Sequence, residues 1–475
     1  MLRPCLCASS FVALATLAAA QTQPTLAPEA REFVSVDAPI VALTDVLLID
    51  GTGAPPRAGQ TVLLRNGRIS EIGPAGEVDV PATAEVLELP GRTVIPGLIG
   101  LHNHTFYTSP GAIYSHMVFS APRLYLGSGV TTIRTTGTLM AYSDLNVRAQ
   151  IDRGDIAGPR IHATGPYLDN SDSPLDTIEP KTATPEDARR LVAYWAEEGV
   201  EWLKAYTSIS RETLGAAIDE AHKHGIKVTA HLCSVTHGEA VELGIDNLEH
   251  SFITMSDFVA NKEVDQCPPE MTATLANLDI DSDEVQESIR HIVAHGVSLT
   301  STLSVFEWRI PHRPDIHPRA LEMMTPRLRQ EYAELRRRTR ETAAERAFMT
   351  GLLTNAMAFN RAFVAAGGVL ASGVDPAGGA LPGFGDHRNY ELFIESGFRP
   401  EEAIQIMTAN GAKVLGVDSE LGTVAVGKLA DLVVIDGDLT SGGSMIRNVS
   451  TVFKDGIGYD AVGLLDSVKG QVGLR

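Results

Sequence analysis

Basic side chains are scarce in this chain: 39 Lys and Arg stand against 59 Asp and Glu, a net charge of −20. Nucleic acids and anionic membranes both repel an acidic protein, so the balance argues against either as a partner. Cysteine is scarcer still. Of four, Cys5 and Cys7 fall in the first stretch, which leaves Cys233 and Cys267. A single disulfide between these two is open, but spacing does not establish it. No glycine-rich phosphate fingerprint occurs, which removes the main support for a dinucleotide-binding sheet. Long apolar runs are missing as well. The run within MLRPCLCASSFVALATLAAAQTQ is shorter than the roughly 20 residues that span a bilayer. With Arg3 ahead of it and Ala18, Ala19 and Ala20 behind, it reads as a secretory signal over residues 1–20. The expectation is a periplasmic or secreted protein with no membrane span. Cys5 and Cys7 precede the apolar run rather than follow it, which disfavours a lipoprotein.

An apolar fraction of 44% over 475 residues fits a globular chain long enough for a large barrel and a smaller appendage. One phrase returns throughout: a helical stretch, a glycine, then a short β-branched run. It appears in GSGVTTIRTTG from Gly127, EEGVEWLKAY from Glu197, KHGIKVTAHL from Lys223, ELGIDNLEHS from Glu242, AHGVSLTSTL from Ala294 and AAGGVLASGVD from Ala365. The glycine tolerates the left-handed turn that closes a helix. The Val/Ile-rich run suits a strand buried on both faces. Helices alternating with such strands predict a parallel sheet. The number of units favours an α/β fold of the closed (β/α)8 TIM barrel type over an open sheet, with the barrel in residues 94–417. The flanks differ: VALTDVLLID, TVLLRNGRISEIG and AEVLELPGRT before it, and DLVVIDGD and STVFKDGIGYD after it, read as β-strands. They predict a small β-sandwich domain formed from both chain ends, residues 30–93 plus 418–475.

The stretch PGLIGLHNHTFY, from Pro96, ends an apolar run in His-x-His. In a strand, His102 and His104 share one face and Asn103 takes the other. Two imidazoles on one face form half of a metal site or an ordinary hydrogen-bonded pair. Barrel chemistry collects at the C-terminal ends of the strands, and other ionisable residues fall there too. Lys204 ends VEWLKAY, His231 ends KVTAHL, His250 ends DNLEHS and Asp375 ends VLASGVD. By contrast, His222 and His224 lie on a helix and read as ordinary exposed residues. Four histidines and an aspartate suit zinc. A protonated lysine beside dications is repelled, so Lys204 must be neutral or chemically changed.

In this set and order the chain resembles the amidohydrolase superfamily, over nearly the whole of residues 21–475. The resemblance implies two divalent ions, zinc by type. His102, His104 and Asp375 would hold one and His231 and His250 the other, with a carboxylated Lys204 and a hydroxide bridging them. Asp375 would accept the proton of the attacking water and pass it to the leaving group. One departure is Gly100, where many members carry Asp, and it puts a supporting hydrogen bond in doubt, not a ligand. The implied function is metal-dependent hydrolysis of an amide bond in a small, dipeptide-like or N-acyl amino acid substrate. Exported Xaa-Pro and Xaa-Arg dipeptidases are similar. Two alternatives stay open: a mononuclear deaminase or cyclic-amide hydrolase, against which Lys204 counts, and a non-catalytic barrel used for assembly.

Further residues attach to this reading. Tyr206, two past Lys204, faces the same interior and either steadies an oxyanion or packs under a loop. Cys233 reads as a packing residue. Substrate contacts should come from the loops after the strands. HRPDIH carries Arg313, and ALPGFGDHRNY carries His387 and Arg388; either arginine could bind a carboxylate bidentately or sit solvated. RRRTR from Arg336 reads as an exposed helix face. YLDNSDSPLDTIEP is a lid or a surface loop. Association into homo-oligomers is left open.

Overall fold

The computed structural model describes residues 25–110, 113–170, 181–344 and 346–474. The signal segment 1–20 therefore lies outside the described residues, as do positions 171–180 of the YLDNSDSPLDTIEP loop.

Eight parallel strands follow the repeated phrases. They are β1 (Leu98–Asn103), β2 (Val130–Thr135), β3 in two pieces (Arg160–His162 and Thr164–Leu168), β4 (Trp202–Ala205), β5 (Lys227–Ala230), β6 (Asn247–Glu249), β7 (Ser298–Ser301) and β8 (Leu370–Ser372). Helices lie between them: α1 (Ser120–Gly127), α2 (Ala141–Asp152), α3 (Pro185–Glu197), α4 (Arg211–Lys223), α5 (His237–Glu242), α6 (Asp283–Ala294), α7 (Leu303–Glu307), α8 (Pro326–Glu341) and α9 (Phe348–Ala365). Gly225 (φ 70°) and Gly244 (φ 86°) take the left-handed turns that end α4 and α5 ahead of β5 and β6. The strands are almost wholly buried, as the near-continuous apolar runs require when helices cover a parallel sheet.

The first piece of β3 pairs with β2 and β2 with β1, while the second piece continues through β4, β5, β6, β7 and β8. The pairs Lys204↔Thr229, Ala230↔Leu248, Glu249↔Thr300 and Ser301↔Ser372 are in register. The residues that follow each strand therefore emerge along one rim. Beyond β8 the chain returns to β1. The Asp375 N–H donates to the His102 carbonyl at 2.7 Å and the Val374 N–H to Asn103 Oδ1 at 3.1 Å. A Cβ at Gly373 would fall 2.2 Å from the His102 nitrogen, so only glycine admits this approach.

A nine-stranded, mainly antiparallel sheet takes strands from both chain ends, from Val34–Val36 to Thr93–Pro96 and from Leu432–Ile435 to Ile457–Asp460. Val41, Leu43, Val62, Leu432 and Phe453 form its own core. The Thr93–Pro96 strand passes straight into β1, and the Gly97 N–H bonds the Asp431 carbonyl at 2.8 Å. The His-x-His strand is thus anchored at its root by this sheet. Cys233 and Cys267 form a disulfide.

One surface expectation is corrected. Arg336 on α8 is buried, with 2% of its side chain exposed. It donates to Asp315 Oδ1 at 2.8 Å, to the Ile310 carbonyl at 3.2 Å, to the Arg313 carbonyl at 2.6 Å and to the Trp308 carbonyl. A guanidinium with this many acceptors can leave water. Among the described residues no helix is long and apolar enough to cross a membrane.

Candidate metal centre

The strand alternation of β1 puts His102 and His104 on one face, both buried. His102 Nδ1 lies 2.8 Å from Glu249 Oε2. A carboxylate only accepts, so Nδ1 carries the proton and Nε2 turns a lone pair inward. That Nε2 is 3.2 Å from Lys204 Nζ and 3.6 Å from Asp375 Oδ1. His104 repeats the pattern: Nδ1 donates to the Gly137 carbonyl at 3.1 Å and Nε2 sits 3.6 Å from Asp375 Oδ1. His250 Nδ1 is tied to Thr302 Oγ1 at 2.7 Å. Its buried Nε2 has no hydrogen-bond partner among the described residues and lies 3.9 Å from Asp375 Oδ2. The His231 ring centroid is 4.4 Å from that of His250. Structure therefore brings all six sequence-derived candidates to one cavity of about 320 Å³.

The electrostatics follow from burial. Desolvation, then the Lys204 charge, holds His102 well below the ordinary imidazole range and His231 at about 3. Desolvation and the neighbouring imidazoles do the same to His250. Burial brings the Lys204 amine down to about 8 against the pull of Glu249 and Asp375. Burial alone would raise Asp375, but His102 and His104 hold it below the usual carboxylate range. Neutral imidazoles and an ionised carboxylate, with an orphaned buried nitrogen among them, are donors that suit divalent ions. His102, His104 and Asp375 form the tightest set, their ligand atoms all within 4.8 Å of one another.

Two site residues adopt left-handed backbone. His250 has φ 63° and Asp375 φ 47°, conformations that cost non-glycine residues energy and cluster at functional sites. The turn at His250 lets Glu249 and His250 serve the same site although they are sequence neighbours. Glu249 was missed in the sequence for that reason, since strict alternation sends it to the opposite face. Its partner Arg134 on β2 was missed too. It donates to Glu249 Oε1, to Asn247 Oδ1 at 2.9 Å and to the Leu101 carbonyl at 2.9 Å. A charged residue inside the run VTTIRTTG was the available signal. The doubt raised by Gly100 is answered here. A Cβ at that position would lie 2.3 Å from Asn103 Nδ2, and Glu249 orients His102.

Tyr206 packs beside His231 with ring centroids 4.9 Å apart. Burial raises its phenol, so it stays a hydrogen-bond donor at neutral pH. Arg309 lines the cavity, stacks near Phe306 (5.7 Å) and Trp308 (5.3 Å), and had no signal in the sequence. Among the described residues its guanidinium makes no ion pair or side-chain hydrogen bond.

The three expected substrate contacts are corrected: none lines this cavity. Arg388 grips Glu307 with two bonds of 2.7 Å and Glu391 with one of 2.5 Å, beside a separate cavity of about 310 Å³. Arg313 bonds Glu307 and Glu395 at 2.6 Å each. Internal carboxylates already occupy both forks. His387 is buried against the Ser128 carbonyl at 2.8 Å.

Comparison with known proteins gives a consistent picture. A model of the amidohydrolase family matches residues 93–458. An enamidase of Eubacterium barkeri is 23% identical over 408 residues, 82% of this chain and 84% of its own. A candidate prolidase of Bifidobacterium longum superposes with a TM-score of 0.63 at 26% identity, over 90% of this chain and 98% of that one. A Xaa-Pro dipeptidase solved with methionine in its active site gives 0.66 at 19% identity, over 89% and 100%.

Proposed function

Because the chain belongs to the amidohydrolase family, we propose that it is a hydrolase using two divalent ions to cleave an amide bond next to a free carboxylate. The observation that carries this reading is the convergence of four imidazoles, Lys204 and Asp375 on one cavity. We assign His102, His104 and Asp375 to one ion, His231 and His250 to the other, and a carboxylated Lys204 between them. Bound there, such ions lower the pKa of water and polarise the scissile carbonyl.

The chain's own residues do the rest. Carboxylation consumes a neutral amine: Nζ adds to carbon dioxide, an N–C bond forms and one proton leaves. Lowering Lys204 to about 8 makes that form accessible near neutral pH. Asp375, held ionised, takes the water proton and hands it to the leaving nitrogen. The Tyr206 hydroxyl donates to the oxyanion of the tetrahedral intermediate. Arg309, which makes no ion pair among the described residues, binds the substrate carboxylate. Dipeptides and N-acyl amino acids both meet that description. Zinc is the assigned metal, and the eight strands are read as a closed (β/α)8 barrel on the strength of the Asp375-to-His102 backbone bond. Export is proposed as well, supported by the Cys233–Cys267 disulfide, which suits an oxidising compartment.

A single-ion reading has one observation in its favour, the tight His102, His104 and Asp375 set. Metal analysis separates the two, with two tight equivalents per chain expected and one equivalent selecting the alternative. Hydrolysis is screened with dipeptides, N-acyl amino acids and their C-terminal amides. Activity on the free acids, lost in chelator and restored by zinc, is expected. A zinc-loaded enzyme inert towards the whole set would overturn the proposal.

A further inference from the structure

On the flank of the parallel-strand unit, Glu242 at the end of α5 meets His291 on α6 and His295, the residue that caps α6. The two histidines are four residues apart and so share one helix face; their ring centroids are 4.5 Å apart. His295 Nδ1 lies 2.9 Å from the His291 carbonyl. A carbonyl only accepts, so Nδ1 holds the proton and Nε2 of the neutral ring presents a lone pair. That lone pair faces Glu242 Oε1 at 3.8 Å, and His291 Nε2 faces the same oxygen at 3.3 Å. A proton on either ring or a shared cation relieves the repulsion between these atoms, and only the cation joins all three residues at once. In tetrahedral zinc sites, bonds of about 2.0–2.1 Å set neighbouring donor atoms about 3.3–3.5 Å apart. The spacings here bracket that value, and all three donors lie within 4.8 Å of one another.

We infer that Glu242, His291 and His295 form a peripheral site for a borderline divalent cation such as zinc, with water completing the shell. None of the three lines the catalytic cavity, so the inference does not depend on the proposed reaction. Exposure of 65%, 32% and 43% of the side chains keeps the site open to exchange. It makes the affinity modest compared with a buried centre. The two helices flank β6, which carries Glu249 and leads to His250. An ion shared between them ties the two helices together.

The test uses the full chain and zinc alone. Equilibrium dialysis of the parent enzyme should give one weaker equivalent beyond the tightly held metal. His295→Ala and Glu242→Gln, both exposed replacements, should each lose that equivalent while keeping the tight metal and full turnover. The parent should gain a few degrees of Tm when weakly bound zinc is added, and the variants should not. A His102→Ala/His104→Ala protein should keep the weak equivalent even if it loses the tight metal, which separates this site from the catalytic one. Unchanged stoichiometry and an unchanged zinc-dependent Tm in His295→Ala would overturn the inference.

Discussion

Glu249 is the residue on which β1, β2, β5 and β6 converge, and its removal has a calculable consequence. Its carboxylate accepts from Arg134 and from Thr229 Oγ1, and it fixes His102 at 2.8 Å. Neither Glu249 nor Arg134 exposes any side chain. In Glu249→Ala the guanidinium keeps the Leu101 carbonyl and Asn247 Oδ1, while its Nη1 already lacks a partner among the described residues. Stranding a buried charge in this way costs about 3–5 kcal/mol, a large part of the roughly 5–15 kcal/mol that holds a domain together. Glu249→Gln retains a neutral acceptor and should lose about 1.5–3 kcal/mol, the worth of a charged hydrogen bond. Removing both charges in Arg134→Met/Glu249→Leu leaves no unpaired charge, only the His102 Nδ1–H without its acceptor, so the pair should be less destabilised than the sum of its single replacements by at least about 2 kcal/mol. Urea unfolding in chelator measures this without help from bound metal. In Glu249→Gln the loss of the orienting carboxylate should also weaken metal binding about 10–100-fold. A Glu249→Ala protein within about 1 kcal/mol of the parent, or strict additivity in the cycle, would refute the reasoning.

Three further outcomes follow from the same geometry. Lys204→Ala should abolish hydrolysis and lower metal content, read by plasma emission and single-turnover assay; full activity would exclude a bridging role. Arg309→Met should lower kcat/KM for free-acid substrates about 10–100-fold, the loss of a charged hydrogen-bonded contact of about 1.5–3 kcal/mol. It should leave the corresponding amides unaffected, and an equal loss on both would remove Arg309 from carboxylate binding. The Cys233–Cys267 bridge closes a separation of 34 residues, which corresponds to about 3–4 kcal/mol of chain entropy. Dithiothreitol should therefore lower Tm by several degrees, and an unchanged Tm in Cys233→Ser/Cys267→Ser would show that the bridge does not stabilise the fold.

The parts of this fold that were legible in the sequence are those governed by local periodicity. Glycine-stopped helices announce buried parallel strands, and alternation along LHNH places His102 and His104 together without any coordinates. Lys204 and His231 follow from their position at strand ends. Glu249 does not, because the left-handed turn at His250 breaks the alternation at the one place where two consecutive residues both serve the site.

The arginines show a second limit. Arg309 and Arg313 are four residues apart and chemically identical, yet among the described residues one makes no ion pair and the other is consumed. What separates them is Glu307 and Glu395, the latter 82 residues further along the chain. Arg336 looked exposed beside its arginine neighbours, but the carbonyls of Trp308, Ile310 and Arg313 fold over it. A sequence displays its charges but not their counter-charges, and in an acidic protein most arginines will find one internally. The informative arginine is therefore the one left unpaired in a cavity, and among the described residues of this cavity that is Arg309.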